Sequence, residues 1–164
     1  RLMHGGEQER HMRAGTENLP GIVGLGIAIT DAVEHLEETR QEVKALRDRL
    51  YAGLAERIPD MLLNGPALEE GRLPGNLNVS FLGLQGEAVL LRLDLVGVAA
   101  SSGSACTAGS LDPSHVLMAI GRDTDTAHAS LRLTLGSDNT KEDVDEVIRI
   151  LPDIVKDLRG LRGL

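Results

Sequence analysis

The chain has 164 residues, a formal net charge of −8 and an apolar fraction of 41%, which is enough for one globular domain or for a small domain with part of another. The negative charge argues against a nucleic-acid-binding surface, and no apolar run is long enough to span a membrane. A single cysteine, Cys106, excludes an internal disulfide framework and fits the reducing cytoplasm. The opening residues, Arg1 to Gly6, do not resemble a natural start, so we expect a piece of a longer protein.

Residues 1–19 are polar and show little apolar periodicity. The run Arg13-Ala-Gly-Thr-Glu-Asn18 places an arginine, a glycine and the hydroxyl of Thr16 just before a helix predicted to begin at Pro20. Such groups near a helix N-terminus can hold an anion, phosphate above all. An ordinary capped loop with solvated arginines uses the same residues, so the spacing leaves both interpretations open.

Residues 20–58 are predicted to form one long helix. Apolar residues recur there with a helical period: Ile22, Leu25, Ile29, Val33, Leu36, Val43, Leu46, Leu50 and Leu54. The other positions carry charges that we interpret as a solvated face. A helix of this length predicts a link between two domains.

Residues 59–164 are predicted to form a small α+β domain. The region 59–74 is rich in turns. Leu77, Val79 and Phe81 alternate with the polar Asn78 and Ser80, which predicts a half-buried strand with the apolar side chains toward the core. A second alternation predicts a strand over 131–135, and a short strand is predicted over 96–100. Helices are predicted over 86–95, after an N-cap at Asp112, and after the capping-box-like run Thr140 to Asp143. The fold is therefore a small antiparallel sheet packed with helices and preceded by a long linking helix.

Cys106 lies in a run of small residues, Ser101-Ser-Gly-Ser-Ala-Cys-Thr107, that cannot build a core. Glycine and small polar residues between periodic segments predict a loop, and a thiol on such a loop can act as a nucleophile. Free cysteine is also often a buried apolar filler. The residues alone leave both interpretations open.

Arg132 alternates with Leu131 and Leu133, so a period of two places it on the strand face away from the core. An exposed strand arginine is usually solvated surface. Its planar fork is also the side chain best suited to binding a carboxylate.

Taken together, several motifs resemble the NifS/IscS group of cysteine desulfurases, which are pyridoxal-phosphate enzymes of fold type I in the aminotransferase class V family. The resemblance covers essentially the whole chain and is carried by these runs: Arg13 to Asn18, Leu73-Pro-Gly-Asn-Leu-Asn-Val-Ser-Phe81, Ser101 to Thr107, Ala108 to Val116, and Ser130-Leu-Arg-Leu-Thr-Leu-Gly136. It implies that residues 1–19 are the tail of a large cofactor domain, that residues 20–58 link it to the next domain, and that residues 59–164 form the small domain.

The resemblance implies roles for three residues. Cys106 would take sulfur from L-cysteine held on pyridoxal phosphate, keep it as a persulfide, and pass it to an iron–sulfur scaffold or another acceptor protein, while L-alanine leaves. Arg132 would bind the substrate carboxylate. Thr16 would bind the cofactor phosphate of the partner subunit in a homodimer. No metal site, nucleic acid or membrane is implied.

Three departures from the family pattern stand out. The family's Schiff-base lysine lies upstream of the stretch near His4 and is not in this chain, so the cofactor would be held mainly by a large domain outside it, and we expect the isolated chain to be inactive. Glu7 and His11 stand where the family usually has glycine, near the predicted phosphate loop. Two functions other than cysteine desulfurase are open for these residues. One is a non-catalytic persulfide carrier or partner-binding module, and the other is a selenocysteine lyase.

Overall fold

The computed structural model describes residues 3–102 and 112–161. By internal contacts the chain divides into two compact units, residues 1–38 and residues 39–164. No single helix in the described ranges is long and apolar enough to cross a membrane, although the helices Leu19–Glu34 and Leu36–Arg57 together have the necessary length and composition as a bent pair.

The first unit contains a short 3-10 turn, Glu9–His11, and helix α1, Leu19–Glu34. Asn18 caps α1, because its side-chain oxygen accepts a hydrogen bond from the Gly21 N–H at 3.2 Å. The helix begins within one residue of the predicted start at Pro20. Its apolar side chains are exposed within the described structure, Leu25 and Val33 among them.

The single helix predicted over residues 20–58 is wrong, because the structure has two helices, α1 and α2, Leu36–Arg57. The break falls at His35, whose backbone torsions are φ −100° and ψ 5°. Both the backbone N–H and the imidazole Nδ1 of His35 lie within hydrogen-bond distance of the Asp31 carbonyl, at 3.1 and 2.9 Å. Leu50 and Leu54 of α2 belong to the core of the second unit.

The second unit contains a three-stranded antiparallel sheet in the order β1-β2-β3. The strands are β1 Met61–Leu63, β2 Asn76–Phe81 and β3 Ser130–Thr134. The helices after α2 are α3 Gly86–Asp94, α4 His115–Ala119, α5 Thr124–His128 and α6 Lys141–Leu161. The predicted α+β class with a small antiparallel sheet is confirmed.

One face of the sheet builds the core. Leu77, Val79 and Phe81 of β2 are fully buried, as predicted from their alternation. They form one apolar cluster with side chains from β3 and from three helices, which include Leu131, Leu54, Val89, Leu93, Val144, Leu151 and Val155. The capping box of α6 is confirmed, because the Asp143 N–H donates to Thr140 Oγ1 and the Thr140 N–H donates to Asp143 Oδ2.

Several local predictions were wrong. Residues 96–100 form no strand, because the chain turns at Gly97 with φ +79° and only Ser101 pairs with β3. Helix α4 has its N-cap at Ser114, not at Asp112. Strand β1 lies within the turn-rich region 59–74, and α5 was not predicted, because both are too short to show a period.

Candidate active site

Arg132 lies at the centre of β3 on the face opposite the core, as predicted. Its neighbours Leu131 and Leu133 are buried, whereas Arg132 is half-buried. Among the residues that the structure describes, nothing forms a hydrogen bond or ion pair with its guanidinium group. Arg132 therefore presents a charged fork that the described part of the fold leaves available for an anion.

The chain that leads to Cys106 pairs with β3 at Arg132, through the backbone of Ser101. The Ser101 N–H donates to the Arg132 carbonyl at 3.0 Å, and the Arg132 N–H donates to the Ser101 carbonyl at 2.6 Å. Cys106 itself lies outside the described residues. The backbone of Ser101, which lies five residues before Cys106 in the sequence, is thus paired with the backbone of Arg132.

A buried amide, Asn64, organises the polar face of the sheet beside Arg132. Asn64 is 2% exposed, and its Nδ2 donates to Asn78 Oδ1 at 2.7 Å and to Ser80 Oγ at 2.8 Å. Its Oδ1 accepts from Arg122 Nε at 2.8 Å. Ser80 Oγ in turn donates to the Thr126 carbonyl at 2.7 Å. A buried hydrogen-bond network of this kind holds a strand face in one arrangement.

The network joins the sheet to the chain that follows α4. Arg122 also donates from its NH2 group to the Leu63 carbonyl at 2.6 Å. The next residue, Asp123, caps α5 by accepting hydrogen bonds from the backbone N–H and the hydroxyl of Thr126, and these bonds hold the pKa of its carboxyl below the ordinary 3.8. These contacts fix α5 against the polar face of β2.

Thr16 lies in the first unit and is exposed. The guanidinium of Arg13 donates to the carbonyls of Gly15 and Thr16, both at 3.3 Å. Gly15 has φ +91°, a torsion that favours glycine. His11 also has a left-handed torsion, φ +64°, so a glycine in its place, as the resemblance implies, fits this backbone with less strain.

The residues of this chain do not by themselves fit pyridoxal phosphate, which needs an amine for its Schiff base. The chain has three lysines. Lys44 Nζ is paired with Asp48 Oδ2 at 2.5 Å, while Lys141 and Lys156 are exposed on α6. In the described ranges, no three His, Asp or Glu side chains converge as a metal site.

Asn64, Asn78 and Arg122 were not predicted as site residues. Asn78 and Ser80 were recognised only as the polar positions of an alternating strand. The signal that was available is the run of polar side chains at alternate positions, Asn76, Asn78 and Ser80, which indicates a polar surface that needs partners if it is covered.

Comparisons with known proteins agree with this architecture. A sequence model described as aminotransferase class-V matches residues 3–147. The chain is 53% identical over 163 residues to "Cysteine desulfurase IscS" of Clostridium botulinum and 47% identical over 160 residues to "Cysteine desulfurase NifS" of Azotobacter vinelandii. Among solved structures, one titled "NIFS-LIKE PROTEIN" has a TM-score of 0.79 and is 35% identical in sequence. The match covers 96% of this chain and 39% of that structure's chain.

The chain therefore belongs to the aminotransferase class-V family. Within that family it matches curated NifS- and IscS-type relatives along 98–99% of its own length, and it spans 41% of the Clostridium relative and 39% of the Azotobacter relative.

Proposed function

We propose that this chain is the part of a pyridoxal-phosphate-dependent cysteine desulfurase that receives sulfur from L-cysteine. The observation that carries the proposal is the attachment of Ser101 to Arg132, because it links the segment bearing the only thiol to a half-buried arginine with no described partner. The identity of 53% to a curated cysteine desulfurase supports the same function.

Arg132 binds the carboxylate of the amino-acid substrate. A guanidinium donates two parallel hydrogen bonds to the two oxygens of a carboxylate, and this pairing fixes orientation as well as position. The hydrogen bonds between Ser101 and Arg132 hold the start of the thiol segment at this strand position. Cys106 lies four residues beyond Ser102, a length of chain that spans at most about 14 Å.

Cys106 is the sulfur acceptor. Its thiolate attacks the substrate sulfur, a new S–S bond forms, and the C–S bond of the substrate breaks. The electron pair of that bond stays on carbon, which takes up a proton, so L-alanine leaves and Cys106 carries a persulfide. Pyridoxal phosphate, held by protein outside this chain, would supply an electron sink. An acceptor protein, such as an iron–sulfur scaffold, then takes the outer sulfur from the persulfide.

The cofactor is held mainly by protein outside this chain. Thr16 contributes its hydroxyl to the phosphate across a homodimer interface. Because none of the lysines in this chain serves the Schiff base, we expect the isolated chain to release no sulfide from cysteine.

The test is intact-mass spectrometry on the chain assembled with the N-terminal part that its relatives possess, together with pyridoxal phosphate and L-cysteine. We expect a gain of one sulfur atom on Cys106 that a reducing agent removes and that is missing in Cys106→Ala. No gain in a mixture that demonstrably assembles would contradict the proposal.

A second candidate, which uses the same thiol, is a non-catalytic persulfide carrier. Arg132→Ala in the assembled enzyme separates the two functions. The desulfurase predicts loss of alanine production, whereas a carrier needs no carboxylate anchor and predicts unchanged sulfur transfer.

A further inference from the structure

The orientation of two amide side chains on the polar face of the sheet follows from Arg122. The Nε of an arginine carries a hydrogen and can only donate. Because Arg122 Nε lies 2.8 Å from Asn64, the atom that faces it must be the amide oxygen of Asn64. The NH2 group of Asn64 is therefore turned toward Asn78 and Ser80.

Ser80 provides an independent check of this orientation. A hydroxyl has one proton, and Ser80 Oγ uses it to donate to the Thr126 carbonyl at 2.7 Å. The contact from Asn64 at 2.8 Å must therefore come from a donor, the NH2 group. The two ends of the Asn64 amide thus give the same answer.

The orientation of the Asn64 amide determines that of the Asn78 amide. Since Asn64 donates to it at 2.7 Å, Asn78 must present its oxygen to Asn64. Its own NH2 group is then left with two hydrogens and no hydrogen-bond partner within the described ranges. The chain from Arg122 through Asn64 therefore fixes Asn78 as a hydrogen-bond donor.

Asn78 and Arg132 are direct partners in the register of β2 and β3. Opposed residues in an antiparallel pair project from the same face, with Cβ atoms about 5 Å apart. Both side chains are half-buried. A neutral donor and a cationic donor with no described partner thus stand side by side, which is a donor set that suits a carboxylate.

We propose that the Asn78 NH2 group is the second donor to the substrate carboxylate, beside Arg132, and that Arg122 and Asn64 hold it in the donor orientation. This inference rests on the proposed function. It assigns Asn78 to substrate binding, and Asn64 and Arg122 to positioning.

The test variant is Asn78→Asp in the enzyme assembled to the length of its relatives. Aspartate keeps an oxygen for Asn64 and replaces the NH2 group with a second oxygen, which repels a carboxylate. We expect the KM for L-cysteine to rise on the order of tenfold or more, with kcat changed much less. The matched control is Asn76→Asp, which adds the same charge at the next position on the same face of β2, opposite Thr134, and is expected to leave KM unchanged.

A second measurement does not depend on turnover. Calorimetry would compare the binding of L-alanine, which has a carboxylate, with that of alaninamide, which does not. We expect Asn78→Asp to weaken L-alanine binding on the order of tenfold and to leave alaninamide binding unaffected. Equal loss of both ligands would overturn the proposal, because a purely structural role of Asn78 predicts that result. An unchanged KM in a folded Asn78→Asp variant would overturn it as well.

The two measurements also separate this inference from the proposed function. A wild-type assembly that produces no alanine from cysteine would contradict the function, while the L-alanine and alaninamide titrations would still test the donor pair. An active wild type with an unaffected Asn78→Asp variant would contradict the donor pair alone.

Discussion

Ser80 and Ser130 are opposed in the register of β2 and β3, and both are buried, but only one is satisfied. Ser80 Oγ accepts from Asn64 and donates to Thr126, whereas Ser130 Oγ has no hydrogen-bond partner within the described structure. Burial of the hydroxyl is therefore compensated by hydrogen bonds at Ser80 but not at Ser130 within the described structure.

We expect Ser80→Ala to lower the free energy of unfolding by about 1–3 kcal/mol, because it leaves donors and acceptors in the network without a partner. Ser130→Ala removes a hydroxyl that is already unsatisfied, and we expect it to be neutral or to stabilise by up to about 1 kcal/mol. Urea unfolding of the 164-residue chain would compare the two variants. A larger loss for Ser130→Ala than for Ser80→Ala would contradict this account.

Removal of the Asn64 side chain should be among the most damaging polar substitutions. Asn64→Ala leaves Arg122 Nε, Asn78 Oδ1 and Ser80 Oγ each short of one hydrogen bond, and we expect a loss of about 3–4 kcal/mol. The control is Asn139→Ala, whose side chain accepts one hydrogen bond from Gly136 in an exposed turn and should cost about 1 kcal/mol or less. Equal losses in urea unfolding would show that the network adds nothing.

Gly86 allows α3 to approach the start of β3. A Cβ built at Gly86 would lie 2.1 Å from the Ser130 carbonyl oxygen, so the backbones must separate in Gly86→Ala, and we expect a loss of at least about 2 kcal/mol. The matched control is Gly160→Ala in α6, where a Cβ meets nothing within 4 Å and which should stabilise by up to about 1 kcal/mol. Thermal unfolding of both variants would reveal opposite shifts in Tm.

Asp48 should make stability depend on pH. Burial acts to raise the pKa of its carboxyl, but hydrogen bonds and charges from Lys44 and Arg47 outweigh burial and hold the pKa below the ordinary 3.8. The unfolded carboxyl therefore binds a proton at a higher pH than the folded one. The stabilisation is present above about pH 4 and is lost as the pH falls through the lowered pKa.

We accordingly expect Asp48→Asn to cost about 1 kcal/mol at pH 7, since solvent screens a pair whose carboxylate side chain is 33% exposed. The difference from wild type should shrink as the pH is lowered below about 4. The control Asp138→Asn, in an exposed turn, should change little at either pH. Urea midpoints measured from pH 7 to pH 3 would test this, and a difference that grows toward low pH would contradict the sign.

Binding of the substrate carboxylate should depend on the planar shape of the Arg132 guanidinium as well as on its charge. In the assembled enzyme, Arg132→Lys keeps the charge but loses the paired donors, and we expect the KM for L-cysteine to rise about tenfold. Arg149→Lys is the control, because Arg149 pairs with Glu146 on the exposed side of α6, and its KM should match wild type. Steady-state kinetics would measure both, and an unaffected Arg132→Lys enzyme would argue against a carboxylate fork.

The face that each strand residue occupies could be predicted from the sequence, because side-chain direction alternates with a period of two whatever the partner strand is. Alternation placed Arg132 outward and Leu77, Val79 and Phe81 in the core. The same local logic predicted the start of α1 to within one residue and the capping box of α6. Short elements such as β1 and α5 escaped it, because a few residues do not establish a period.

What lies beside each residue could not be predicted in this way. Asn78 and Arg132 are 54 residues apart, and Asn64 and Arg122 are 58 residues apart, yet each pair meets on the same face of the sheet. Their pairing depends on the register of β2 with β3 and on the path of the chain after α4. The sequence by itself determined which side chains point outward, since that is a property of the local backbone. Only the tertiary structure decided which outward side chains become neighbours, because that depends on how distant strands align.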